Sequence, residues 1–356
     1  MELKEWIQKL SALMSVTGFE DYESDRLCAL TEGIFDEYRK DALKNQIFIK
    51  KCGRKGAPKI LVDTHFDEIG MYVTDIKEGG FLSVTNIGGL DTRILEGADV
   101  VIYGKQPILG VIASPPSRLT GEKDKDKLKK IGELFIDTGY SEQALRDMVR
   151  IGTPVGYYPR YTDLGERFMA GKGFDDKACA ACAIHALSGL RAEELAGDVY
   201  LMLSAHEETD RHGGIFSGAF AIDPDYAMVI DVNLGKTPDT KPHETVKMGG
   251  GASITLSAAT DKKLTRMTVS LAESKEIPYQ KCVEADSTGT NATSLMPVRE
   301  GVPTVDVGLP LKSMHTYNEV LELGDAESLS RLVAAFVTSE KIATAFGCEG
   351  EKEEWI

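Results

Sequence analysis

Strand–helix alternation occupies two separated parts of this 356-residue chain, and the stretch between them follows a different rule. From Met71 to about Gly165 the sequence runs in short β-prone pieces, MYVTDI, FLSVTNI, DVVIYG and ILGVIAS, divided by Gly and Pro turns. Branched and aromatic residues in runs of that length predict a small sheet or barrel. Before it, helical periodicity over 3–36 is broken by SVTGFE, where Gly18 predicts a turn. QIFIKK (46–51) predicts a strand, CGRKGAP a hairpin-like loop, and KILVDT (59–64) a buried strand. After it, a helix is expected from about Lys177 to Leu195, then strands at VYLMLSA (199–205) and YAMVIDVN (226–233). MGGGASITL and TVDVGLPL predict further strands, with helices over about 262–274 and 326–345. A chain of this length exceeds the usual single core. The pattern predicts an α/β fold, a mixed sheet flanked by helices, with a small β-barrel-like domain inserted. Residues 1–70 and 167–356 would form the first unit and 71–166 the second.

The formal charge of −15 and a pI near 5.0 argue against nucleic acid or an anionic membrane as partner, because the field repels phosphate. The N-terminus, MELKEWIQKLSALMS, lacks the basic start and apolar run of a signal peptide, and no apolar run is long enough to span a bilayer. Six cysteines spread thinly (Cys28, Cys52, Cys179, Cys182, Cys282, Cys348) predict reduced thiols and a cytoplasmic location. Cys179 and Cys182 form a CxxC inside KACAACAIHAL, where small residues for close helix packing are the favoured account over redox or zinc chemistry. EKDKDKLKK (122–130), with both signs mixed, reads as a solvated loop.

Metal-type residues fall at the predicted strand ends. His65 closes KILVDT and is followed by Asp67, Glu207 and Glu208 close LMLSA, and Asp231 lies near the end of AMVID. Asp175 and Asp176 sit in a Gly-rich turn before a helix, and His315 follows TVDVGL and its loop. Ligand crevices of open α/β sheets lie beyond the carboxyl ends of the strands, so these residues would converge on one rim. Adjacent carboxylates where an apolar strand stops are costly unless a cation or a reaction uses them. Two histidines and three or more carboxylates without a nearby cysteine suit Zn2+, Co2+ or Mn2+ rather than a thiolate zinc site. Taken singly, a histidine at a strand end is equally well a hydrogen-bonded core residue, and Asp231 could cap a turn. His185 reads as structural, His243 as an exposed loop residue, and His212 is undecided.

HFDEIG, GFDDKA, HEETDRHGG, the IDV after a strand and MHTYNEV resemble, in order and spacing, the tetrahedral-type aminopeptidases. These are dinuclear metallopeptidases, also called glutamyl or deblocking aminopeptidases, and some members carry the name glucanase. VTGFE, FIDTGYS, IPYQ and GVPTVDVGLPL extend the resemblance over nearly the whole chain. It implies a dinuclear zinc-peptidase-like domain whose inserted β-rich domain serves dimerisation and higher assembly, from dimer to dodecamer. It further implies two divalent ions per subunit, Zn2+ or Co2+ with Mn2+ as an alternative. His65, Asp175 and Asp231 would hold one ion and Asp175, Glu208 and His315 the other, with Asp175 bridging. Asp67 would orient His65, and Glu207 would be the general base toward a bridging, metal-activated water. The implied activity is release of N-terminal residues from short peptides.

The chain departs from the family pattern at four places. His206 replaces a Gln, TDRHGG replaces VGLRGA, Asn291 stands where Asp is usual, and Lys312 and Thr316 replace Arg and Ser. None removes a ligand or the base, but Asn291 loses a negative charge, which leaves substrate preference open. An N-acyl-amino-acid deacylase on the same metal centre is the alternative enzyme. A glucanase wants two acids and no metals, and a non-catalytic scaffold would have no need of an unligated Glu207.

Overall fold

The computed structural model describes residues 1–115, 128–209, 212–238 and 240–347. Eleven strands form one mixed sheet: β1 (Glu37–Lys40), β2 (Gln46–Lys50) and β3 (Lys59–His65), then β10 to β17 further along the chain. Between them β4 (Gly70–Lys77), β5 (Phe81–Ile87), β6 (Asp99–Tyr103), β7 (Pro107–Ala113), β8 (Phe135–Asp137) and β9 (Pro154–Tyr157) close into a barrel. The large sheet resumes with β10 (Tyr161–Leu164), β11 (Phe168–Gly171), β12 (Asp198–Ser204) and β13 (Tyr226–Leu234). It ends with β14 (Ala252–Ser257), β15 (Tyr279–Glu284), β16 (Thr304–Lys312) and β17 (Glu319–Glu322).

The spatial order is β1-β2-β12-β3-β13-β16-β17-β11-β10, with β14 added beside β16 and β15 beside β14. Its middle strands β12, β3, β13 and β16 are mutually parallel. Parallel strands covered on both faces read as near-continuous apolar runs, and these do. Val199, Leu201 and Leu203 of β12 join one apolar layer, whereas Met202 joins the other. β13 divides the same way, with Met228, Ile230 and Val232 against Ala227 and Val229. The first layer is closed by the helices Leu3–Ser11, Phe174–Ser188 and Leu323–Val337, the second by Gly213–Ile222 and Asn291–Leu295. Helix Phe174–Ser188 is buried nearly all round, which is why it is Ala-rich, and Cys179 and Cys182 are packed free thiols within it.

The barrel has its own core, from Ile69 and Met71 through Val100, Ile112 and Ile136 to Tyr157. Gly110 in β7 is set so tightly there that a Cβ would lie 2.5 Å from the Ile136 side chain. β10 lies within residues 71–166 but pairs with β11 in the large sheet. No described helix is long and apolar enough to cross a membrane.

Several sequence expectations are corrected. CGRKGAP is no hairpin, because β12 lies between β2 and β3. The helix expected to reach Leu195 stops at Ser188 with Gly189 after it, and only a short turn, Ala192–Glu194, follows. The helix expected over 326–345 is two, Leu323–Val337 and Glu340–Phe346, because the Ser339 side chain caps the second by accepting the Ile342 N–H. Cys348 and most of EKDKDKLKK lie outside the described residues.

Candidate metal centre

Strand register brings the strand-end residues together. β12 pairs with β3 so that Ser204 stands opposite His65, and HEE therefore continues directly beside the end of β3. β13 pairs with β3 so that Val229 stands opposite Asp63, which carries Asp231 to the level of His65. Asp175 enters from the start of helix Phe174–Ser188. Gly173, which caps the start of that helix, has φ +64°, and the Asp175–Asp176 peptide is cis. His315 comes from the turn between β16 and β17 and holds φ +62°, a left-handed conformation uncommon outside glycine.

Two groups of three donors result, and they share Asp175. His65, Asp175 and Asp231 form the first; Asp175, Glu208 and His315 form the second. His65 Nε2 lies 2.9 Å from Asp175 Oδ1 and 3.8 Å from Asp231 Oδ1. His315 Nε2 lies 3.4 Å from the other Asp175 oxygen and 3.3 Å from Glu208 Oε2. Asp176 faces away, accepting the Thr64 hydroxyl and, at 3.2 Å, the His65 backbone N–H. Glu207 belongs to neither group.

Burial pushes the Glu208 and Asp231 carboxyls well above the usual carboxylate range, and neighbouring carboxylates push the same way. Burial opposes charge on His65, yet its hydrogen bonds to Asp175 and Asp67 hold it well above the ordinary imidazole value. Asp175 is buried too, but the two imidazoles hold its carboxyl below the usual range. Desolvated carboxylates pressed together lack counter-charge, and divalent cations that accept oxygen and imidazole nitrogen would supply it. The residues therefore fit such ions. They offer no thiolate, since none of the described cysteines joins either group.

The surrounding shell fixes these donors. The Asp67 carboxylate accepts the backbone N–H groups of Glu207 (3.0 Å) and Glu208 (3.1 Å) and the Thr17 hydroxyl (2.9 Å). His65 Nδ1 is 2.9 Å from the Asp67 carbonyl oxygen and 3.6 Å from its carboxylate. Asp67 thus grips the HEE turn as well as the His65 ring. Glu319, not singled out from the sequence, accepts N–H groups from Phe174, Asp175 and His315. Glu68, also missed, is buried between Lys172 and Lys177. Only their places inside HFDEIG and MHTYNEV hinted at either. The barrel takes part as well, for a Cβ on Gly89 would lie 2.8 Å from His315 Nδ1.

A cavity of about 790 Å3 opens over the cluster, lined among others by Glu207, His212, Leu234, His243 and Val283. His185, by contrast, lies in its helix hydrogen-bonded to Ser330 at 2.9 Å.

An imidazole–carboxylate cluster under an open cavity, at the carboxyl edge of a parallel core with a barrel inserted, has the donors of a divalent-metal hydrolase centre. Residues 45–332 match the M42 glutamyl aminopeptidase family. A lysyl aminopeptidase of Pyrococcus furiosus is 30% identical over 343 residues, covering 95% of this chain and 97% of its own. An aminopeptidase structure from the archaeon Desulfurococcus kamchatkensis superposes with a TM-score of 0.88 at 30% identity, covering 97% of each chain. The TET1 peptidase of Pyrococcus horikoshii, which can assemble into a tetrahedron or a large octahedral shell, gives a TM-score of 0.82 at 27% identity, covering 94% of this chain and 99% of its own. The chain belongs to the M42 glutamyl aminopeptidase family and is a peptidase.

Proposed function

We propose that the protein is a dinuclear aminopeptidase acting on short peptides, with Glu207 as general base. The observation that carries this reading is the division of labour between neighbours. Glu208 belongs to a donor group, whereas Glu207 lines the cavity outside both groups. Two divalent ions, Zn2+, Co2+ or Mn2+, held by His65, Asp175 and Asp231 and by Asp175, Glu208 and His315, would polarise the scissile carbonyl and acidify a water. Glu207 would take the proton of the attacking water on its carboxylate and return it to the leaving amine. Burial raises the Glu207 carboxyl above its ordinary value, which suits a group that must both take and give a proton. Asp67 fixes the turn that carries Glu207 and Glu208 by accepting both of their backbone N–H groups. The free α-amine of the substrate binds beside this acidic cluster, which confines cleavage to the first residue.

The segment 71–166 serves as the assembly domain of a homo-oligomer, a reading supported by the shells formed by the Pyrococcus horikoshii relative. The described cysteines are all free thiols, in keeping with a reducing cytoplasm. Glu207→Gln should retain bound metal and lower turnover of free-amine peptides roughly 10²–10⁴-fold. Parental turnover by that variant removes the base assignment. Cleavage of N-acetylated substrates in preference to free ones replaces the aminopeptidase with a deacylase.

A further inference from the structure

His212 and Asn291 stand at two positions where this chain departs from the family pattern, and they touch each other. His212 Nδ1 is 3.3 Å from Asn291 Oδ1 and 3.6 Å from Glu207 Oε1. Among the described residues no other basic side chain lies within 4.0 Å of the Glu207 carboxylate.

The orientation of Asn291 is fixed from behind. Its amide nitrogen donates to Asp63 Oδ2 and to Ser204 Oγ, each at 2.9 Å, so its oxygen is the atom presented to His212. An acceptor there selects the imidazole tautomer with a proton on Nδ1. That N–H is directed to the Asn291 oxygen, which sets the ring with its Nδ1 edge 3.6 Å from the Glu207 carboxylate. An aspartate at 291 would lose the amide donor that Asp63 and Ser204 accept.

Among the described residues the His212 ring has no other hydrogen-bond partner. The residue sits at the start of helix Gly213–Ile222 with φ +41°, and its side chain makes no capping hydrogen bond. It is 28% exposed and lines the cavity. Glu207 needs such a partner. Its three side-chain torsions allow many rotamers, and Asp67 and Asp175 repel it, yet a general base must stand at one place to be useful.

We propose that His212, set by Asn291, is a positioning residue that holds the Glu207 carboxylate at the cavity wall, clear of both donor groups. The assignment rests on Glu207 being the general base.

The test uses the intact, metal-loaded protein with a free-amine dipeptide substrate, measuring kcat, KM and bound metal for His212→Ala, His212→Asn, Asn291→Ala and Glu207→Gln. His212→Ala should lower kcat roughly 10–100-fold while KM stays within about twofold and metal content is unchanged. His212→Asn, whose amide N–H can stand near the Nδ1 position, should recover kcat to within about fivefold of the parent. Asn291→Ala should act in the same direction, and the double variant His212→Ala/Asn291→Ala should be no slower than His212→Ala, because the two act as one unit. The inference is overturned if His212→Ala keeps kcat within about twofold of the parent, if His212→Asn is as poor as His212→Ala, or if the loss is accounted for by lost metal. Glu207→Gln separates the two failures. If it turns over like the parent, the base assignment has failed; if it is inactive while His212→Ala is unimpaired, only the positioning role has.

Discussion

Glu319 holds His315 through the backbone: its Oε1 accepts the His315 N–H at 3.1 Å, while Oε2 accepts those of Phe174 (2.6 Å) and Asp175 (3.1 Å). One buried carboxylate thus spans two segments of chain that each supply a proposed metal ligand. Removing it frees the turn that keeps His315 in a left-handed conformation. Glu319→Ala should weaken metal binding roughly 10–100-fold, as is usual when a partner of the ligands is lost. Competition against a chromophoric chelator reads the affinity, and circular dichroism checks that the fold persists. Parental affinity in a folded variant would exclude this role.

Stripping the metal should destabilise the protein, and more so at higher pH. Glu208 and Asp231 have raised folded-state pKa values because burial penalises their charge. A raised acid contributes stability at low pH that is lost as pH climbs toward its folded value. His65 and His315, held charged chiefly by Asp175, act in the same sense. The chelated protein should therefore melt at a lower temperature at pH 8 than at pH 6. Added Zn2+, Co2+ or Mn2+ should raise the melting temperature most at pH 8. A melting temperature indifferent to chelator and cation would contradict the site.

The Glu68 triad predicts an asymmetry between its members. Lys172 Nζ lies 2.8 and 2.6 Å from the two Glu68 oxygens, and Lys177 Nζ lies 3.1 Å from Oε1. One carboxylate faces two ammonium groups, and burial, aided by Lys172, drives Lys177 down to about 7. Glu68→Gln should cost about 3–5 kcal/mol, since it strands buried positive charge. Lys177→Met, similar in volume, should cost less than about 1.5 kcal/mol. A base with a depressed folded pKa also contributes stability that rises with pH above that value, so the stability of the parent relative to Lys177→Met should increase from about 7 upward. Urea denaturation at pH 7 and pH 9 measures both effects; equal losses for the two variants would refute the asymmetry.

Asp306, on β16 and outside the donor groups, is a further group that makes stability depend on pH. Burial lifts its carboxyl to about 6, against the opposing hydrogen bonds from Thr255 and Thr290. Thr290 Oγ1 donates to it at 2.8 Å. Stability from this raised acid is complete below the ordinary carboxylate range and falls as pH rises toward 6. Asp306→Asn should stabilise the protein at pH 7.5 by up to about 3 kcal/mol, at roughly 1.4 kcal/mol per pKa unit, with no gain near pH 4. An equal effect at both pH values would show that ionisation is not the cause.

Much of this architecture was legible before any coordinates because the parallel strands are apolar on both faces. KILVDT, LMLSA and AMVID stand out as strands, and polar residues at their ends can only lie on the rim. The edge strands were not legible, since EYRK in β1 is exposed throughout and YTDL in β10 nearly so. Neither run carries an alternation to read. Asp175 and Asp176 could not be ranked from residue types. Register ranks them, because Asp176 turns to the end of β3 while Asp175 faces both imidazoles. Glu319 and Glu68 escaped notice because each acts on atoms distant in sequence, and a carboxylate that binds backbone N–H groups leaves no spacing pattern. His212 could not be settled for the same reason, since its meaning depends on Asn291, far along the chain.

Because the shared aspartate at 175 needs donors reaching from position 65 to position 315, no early fragment of this chain carries a complete cage. A polypeptide still on the ribosome, with the last imidazole unmade, lacks one donor of the second proposed group. With the roles proposed above, hydrolytic competence arrives only once the turn that carries His315 has been made.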